Sequence, residues 1–165
     1  MPTPCVIRLT DDDGDRRSHV KRKQHGHPEE VITNLAYLHA TVENQSVQLS
    51  PGNVAAQFIA LDTLWCMLKA VPTGEVEDEL WVMLFHPDRL SDRGEPYYLQ
   101  QHAVIDGQNP IWPVPFLYEV QVDESDWQVR IGHFKGSSPR PVGEMFQLVS
   151  WGFGGTLTEA IGRFQ

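Results

Sequence analysis

The chain has 165 residues, 41% of them apolar and 21% charged, the size and composition of one ordinary globular domain. Thirteen Lys and Arg against twenty-two Asp and Glu leave a net charge of −9, which argues against a whole-protein grip on nucleic acid, because phosphate contacts need clustered positive charge. No apolar run approaches the roughly 18–20 residues of a membrane span, no basic stretch followed by an apolar one suggests a signal peptide, and two cysteines, Cys5 and Cys66, are too few for a secreted disulfide scaffold.

The first thirty residues carry six basic and six acidic side chains, so the acidic excess belongs to residues 31–165. Cys5–Leu9 (CVIRL) has the composition of a short strand, docked on a sheet edge. Between Thr10 and His27 the single apolar residue is Val20, too little to offset the entropy of ordering. The expectation is a mobile loop or tail, making 1–27 an N-terminal segment and 28–165 a single domain. In that tract an acidic block, 11–15 (DDDGD), abuts a basic run, 16–23 (RRSHVKRK). The basic run is the one part of the chain suited to nucleic acid or an anionic surface, and the aspartates would mask it. His19, His25 and His27 lie in the same tract. The spacing of His25 and His27 suits Zn²⁺, Ni²⁺ or Cu²⁺, which makes them the metal-ligand candidates, although a solvated tail explains them more simply.

Pro28, followed by Glu29 and Glu30, is a good helix start. Val31, Leu35, Leu38 and Val42 then form one apolar stripe. His39 borders the stripe. The string His39-Ala40-Thr41-Val42 has the His-x-Thr form used by phosphoesterases that set two such motifs on facing strands, with each histidine handling a proton. No second copy exists and the region reads as helix, so His39 is a catalytic candidate on its chemistry alone. Ser50 and Pro51 open a second helix as N-cap and first residue. Val54, Phe58, Leu61, Trp65 and Leu68 form its stripe, and further apolar residues widen it almost all round, so it is expected to be buried on most faces. Cys66 in its middle has the profile of an inert thiol.

Val71-Pro72-Thr73-Gly74 ends that helix. Glu75, Glu77, Asp78 and Glu79 crowd the following turn. They lack the spacing of a Ca²⁺ loop and suit a docking patch for a basic partner. Leu80–Phe85 (LWVMLF) reads as a strand covered on both sides. Residues 87–113 form a long irregular stretch rich in Pro and Gly, with a strand around Tyr97–Ile105. Long loops in compact domains are often functional. Trp112, set between Pro110 and Pro113, is a rigid aromatic, and Tyr97 and Tyr98 lie in the same stretch. Such residues are typical interface anchors.

Two strands follow, at 115–122 and 127–134, joined by a polar turn as a hairpin. His133 continues the inward register of Trp127, Val129 and Ile131. It is either a core histidine or, with Tyr118 on the neighbouring strand, part of a helix–sheet pocket able to do acid–base work. A third strand is expected at 144–151. Gly152–Gly155 then breaks the chain before a short helix, Leu157–Arg163. The glycine turn lacks the lysine of a phosphate-binding loop. The fold class is α+β: two main helices and a short C-terminal helix packed on one face of an antiparallel sheet of four to six strands.

No catalytic constellation is complete, and no cofactor motif is present. The favoured reading is a non-catalytic protein-interaction domain of the inhibitor, immunity, chaperone or assembly-factor type. It would dock on a larger, basic protein through Glu75, Glu77, Asp78, Glu79, Tyr97, Tyr98 and Trp112. Such a protein is expected in the cytoplasm, or the nucleus of a eukaryote, with no membrane partner and with nucleic acid reached only through residues 16–23. One alternative is a small-molecule-binding or hydrolytic domain with its pocket around His133. Another is a structural subunit of a viral or secretion assembly, with the N-terminal tract as an arm that orders on assembly.

Overall fold

The computed structural model describes residues 3–43, 49–69, 102–122 and 126–165, with side chains up to Thr63 in the second stretch. The acidic turn at 75–79, the apolar run at 80–85 and Tyr97 and Tyr98 lie outside the described residues, as do the side chains of Trp65 and Cys66.

The fold is built outward from β1 (Cys5–Thr10), in which every residue is buried. A strand with no exposed face belongs in the middle of a sheet, not at its edge. On one side β1 pairs antiparallel with β2 (Arg17–Arg22), and on the other it pairs parallel with β5 (Phe116–Gln121). The remaining strands are β3 (His102–Ile105), β6 (Gln128–His133) and β8 (Ser150–Thr156), giving the order β3-β2-β1-β5-β6-β8. A separate two-stranded piece joins β4 (Pro110–Ile111) to β7 (Arg140–Pro141). The expected sheet was wholly antiparallel. The observed sheet is mixed, because β1 and β5 are joined by the long crossover that parallel neighbours require.

The polar tract read as loop or tail contains β2. Its DDDGD block is the turn of the β1–β2 hairpin: Gly14, at φ 75°, donates its N–H to the Asp11 carbonyl at 3.1 Å. Glycine reaches that backbone region without steric cost. Composition hid the strand because two of the residues that β2 buries are polar, His19 and Arg22 beside Val20. Residues 5–22 therefore supply two of the six strands that the described residues give the sheet.

Helix α1 (Pro28–Glu43) buries the expected stripe of Val31, Leu35, Leu38 and Val42, with Ile32 beside it. Helix α2 (Pro51–Lys69) starts where Ser50 Oγ accepts the Asn53 N–H at 3.3 Å. Val54, Ala55 and Phe58 enter the core, but Ala56 and Ala60 are exposed. The described part of α2 is thus buried on one side, not on most faces. Burying Phe58 alone contributes about 1.5–3 kcal/mol.

The strand expected at 144–151 is instead helix α3 (Val142–Leu148) followed by the start of β8. Val142, Met145, Phe146 and Val149 are the buried positions, spaced i, i+3, i+4 and i+7 as a helix requires. The glycines at 152–155 do not break the chain but lie within β8, where Trp151 and Phe153 supply the strand preference. Close approach sets a glycine in the neighbouring strand too: a Cβ on Gly132 would fall 2.3 Å from Val149 Cγ2. Helix α4 (Leu157–Phe164) follows as expected, with Thr156 Oγ1 accepting the Glu159 N–H at 3.1 Å.

Helices α1, α2 and α4 cover one sheet face around Ile7, Leu9, Leu35, Phe58, Trp127 and Val129. Helix α3 covers part of the other, over Val6, Leu117 and Phe134. This corrects the one-faced arrangement, and the missed α3 is the cause. The α+β class stands. Among the described residues no helix is long and apolar enough to cross a membrane.

Candidate functional site

Alternation along the strands sends polar side chains to both faces. On the face under α2, Arg22 of β2 lies directly opposite His102 of β3. Helix α2 sets Asp62 over both. Asp62 Oδ1 is 3.3 Å from Arg22 Nη2 and accepts from Asn34 Nδ2 of α1 at 2.8 Å. Asp62 Oδ2 is 2.5 Å from His102 Nε2. The side chains of Arg22, Asp62 and His102 are only 2%, 1% and 3% exposed. Among the described residues, Arg22 Nε and Nη1 are buried without a hydrogen-bond partner. Cys5 is the β1 neighbour of Arg22, and burial pushes its thiol up to about 12, so it is not a nucleophile near neutral pH. Tyr118, pushed up by burial as well, donates its hydroxyl to the Gly26 carbonyl at 2.5 Å.

On the opposite face a row of charges crosses four strands in register: His19, Arg8, Glu119 and Arg130. Arg8 Nε donates to His19 Nε2 at 3.0 Å, so this nitrogen carries no proton. Burial, reinforced by the Arg8 and Arg17 charges, pushes the His19 pKa down to about 4. Arg8 Nη1 is 3.3 Å from Glu119 Oε2, and Glu119 Oε1 accepts from Arg130. The Arg8 guanidinium lies 3.9 Å from the Phe146 ring centroid, and that of Arg130 4.1 Å from Trp151, both within cation–π reach.

At one end of the sheet is a depression of about 520 Å³ lined by His133, Phe134, Lys135, Arg140, Leu148 and Ser150. His133 ends β6 and faces Phe116 edge-on, with ring centroids 5.2 Å apart. A second depression, of about 390 Å³, is lined by His39, Glu43 and Asp126 together with residues of α4. There His39 packs edge-on against Trp127 at 4.9 Å.

His133 keeps the inward register but is exposed rather than core, because it sits on the last residue of its strand. It does line a depression. Tyr118, its expected companion, does not; its hydroxyl is tied to Gly26. His39 and Thr41 are on a helix, and the Thr41 hydroxyl donates to the Tyr37 carbonyl, so the facing-strand phosphoesterase geometry does not apply. His25 Nδ1 is 3.0 Å from Glu30 Oε1, and His27 Nε2 is 3.0 Å from Thr3 Oγ1. Among the described residues, no three His, Cys, Asp or Glu side chains converge on a metal position. The basic run is split, since Arg16, Arg17 and Lys23 are exposed while Arg22 points into the core. Trp112 is exposed. Glu75, Glu77, Asp78, Glu79, Tyr97 and Tyr98 lie outside the described residues. Sequence reasoning passed over Arg8 and Asp62. Their signal was a lone charge inside an apolar run, in CVIRL and in IALDTLW, because such a charge must find a partner once buried.

No family model, no curated protein and no solved structure matches this chain.

Proposed function

We propose that the chain is a non-catalytic protein-interaction domain that docks on a basic protein through the β3 edge of its sheet. The observation that carries this reading is the exposure of Val104 (68%) on that edge; Trp112, which follows β4, is as exposed (67%). Among the described residues β3 pairs only with β2. An outer strand offers free N–H and C=O groups to an incoming strand, and exposed apolar side chains add area to the contact. Residues 70–101, which lead into β3, carry seven acidic and two basic side chains. That charge would steer a basic partner toward this edge.

The test is native mass spectrometry of the protein purified gently from its own cells, repeated with Val104→Lys and Trp112→Ala. Both side chains are exposed, so neither change disturbs the core. The reading expects a second polypeptide that dissociates as salt is raised, with each variant weakening the complex roughly tenfold or more. A bare chain at every salt concentration, or a complex indifferent to both variants, would overturn it.

A further inference from the structure

We propose that the depression between the ends of β6, β7, α3 and β8 is a binding site for a small organic oxyanion, a phosphate or carboxylate carried on an apolar body. Its charged walls are of one sign. Lys135 and Arg140 line it, His133 adds a ring nitrogen that can donate, and Ser150 adds a hydroxyl. Among the described residues no Asp or Glu lines it, although acidic residues outnumber basic ones in the chain, twenty-two to thirteen. Among the described residues, Arg140 is held through Nη1, which lies 3.2 Å from Glu144 Oε1. Its Nε is buried with no partner among the described residues. A planar guanidinium suits the two-oxygen edge of a phosphate or carboxylate, which would meet its outer nitrogens, since Nε is covered. The Arg140–Glu144 pair is an i,i+4 contact with both side chains more than a third exposed, the weak and displaceable kind. Helix α3 ends at Leu148 beside the depression, and its last carbonyls oppose an anion. That end is worth at most about half a charge, against two full positive charges on Lys135 and Arg140.

The size argues for more than a bare ion. A volume of about 520 Å³ falls within the roughly 300–1,000 Å³ of small-molecule sites. Phe134 and the 54%-exposed Leu148 supply apolar wall for the rest of the ligand. The oxyanion would sit between Lys135, Arg140 and the Ser150 hydroxyl, and the apolar body would lie against Leu148. Strands β3 and β8 are at opposite edges of the sheet, so the site lies away from Val104, although Arg140 is the register partner of Ile111, next to Trp112; the proposal stands without the docking reading.

The experiment is an NMR titration of the isotope-labelled chain at low salt with phenyl phosphate, inorganic phosphate and benzylamine. Phenyl phosphate is expected to shift the amides of His133, Lys135, Leu148 and Ser150 saturably, with a Kd on the order of 0.1–1 mM. Inorganic phosphate should bind about tenfold more weakly for want of apolar contact, and benzylamine should leave these amides unmoved. Lys135→Gln and Arg140→Gln should each weaken phenyl phosphate by about tenfold, while Val104→Lys changes nothing. If Arg140→Gln fails to fold, Lys135→Gln carries the test alone, because that side chain is exposed. No saturable shift up to about 10 mM, equal binding of benzylamine, or affinity indifferent to the substitutions would overturn the proposal.

Discussion

The two faces of the sheet each carry a polar row that includes one residue of β2, Arg22 on one face and His19 on the other, yet the rows differ in what covers them. Under α2, a helix of 19 residues, the row of Arg22, Asp62 and His102 is at most 3% exposed. On the other face α3, with 7 residues, leaves Arg8, Glu119 and Arg130 exposed to 7%, 21% and 48%. The sheltered row holds its charges out of water, and Arg22 still has two side-chain nitrogens without described partners. The open row uses its donors on His19 and Glu119 and lays its guanidinium groups on aromatic rings. Burial therefore ranks the two: losing one partner under α2 leaves a charge with no water to turn to, and losing one at the Glu119–Arg130 end of the open row does not.

The largest consequence is expected at Asp62. Asp62→Asn keeps the volume but leaves the buried Arg22 without its carboxylate. Breaking a buried pair from one side costs about 3–5 kcal/mol, read as a fall in the urea midpoint with the slope unchanged. A loss below about 1 kcal/mol would place the pair among ordinary surface contacts and remove the distinction between the faces.

The open row has two buried members, Arg8 and His19, each 6% exposed, and His19 breaks the comparison in a different way. Its pKa is pushed down from 6.5 to about 4, so between those values the unfolded chain takes up a proton that the native chain refuses. His19 thus costs nothing above about pH 6.5, and stability falls as the pH drops from there to about 4, by at most on the order of 3 kcal/mol. The comparison is wild type against His19→Gln, which cannot titrate, by urea unfolding at several pH values. Parallel curves through this window would show that burial beside Arg8 does not hold the ring neutral.

The same contrast explains what the sequence could reveal. The α1 stripe, the Ser50-Pro51 helix start, the hairpin of β5 and β6, and α4 were readable because apolar periodicity and end signals agreed. Strand β2 was not, since much of what it buries is polar, and only its partners make His19 and Arg22 acceptable inside. Helix α3 carried a helical spacing, Val142, Met145, Phe146 and Val149, that a strand reading of the same apolar residues obscured. For the site, His133 and Trp112 could be singled out by residue type and neighbours. The Asp62–His102 and Arg8–His19 contacts could not, because they join residues 40 and 11 positions apart, and strand order alone brings them together.

The smallest expected effect lies at the open end of the ladder. Arg130 is half exposed and is shared between Glu119 and the Trp151 ring. A double-mutant cycle with Glu119→Gln and Arg130→Gln should give a coupling below about 1 kcal/mol that shrinks further in high salt. Trp151 does not enter that coupling directly, because the ring contact is absent in both members of the cycle that lack Arg130. A salt-insensitive coupling as large as the loss expected for Asp62→Asn would mean that a helix of 7 residues shelters Glu119 as completely as α2 shelters Arg22. Burial would then no longer separate the faces, and the geometry of the Arg–Glu contact itself would have to carry the difference.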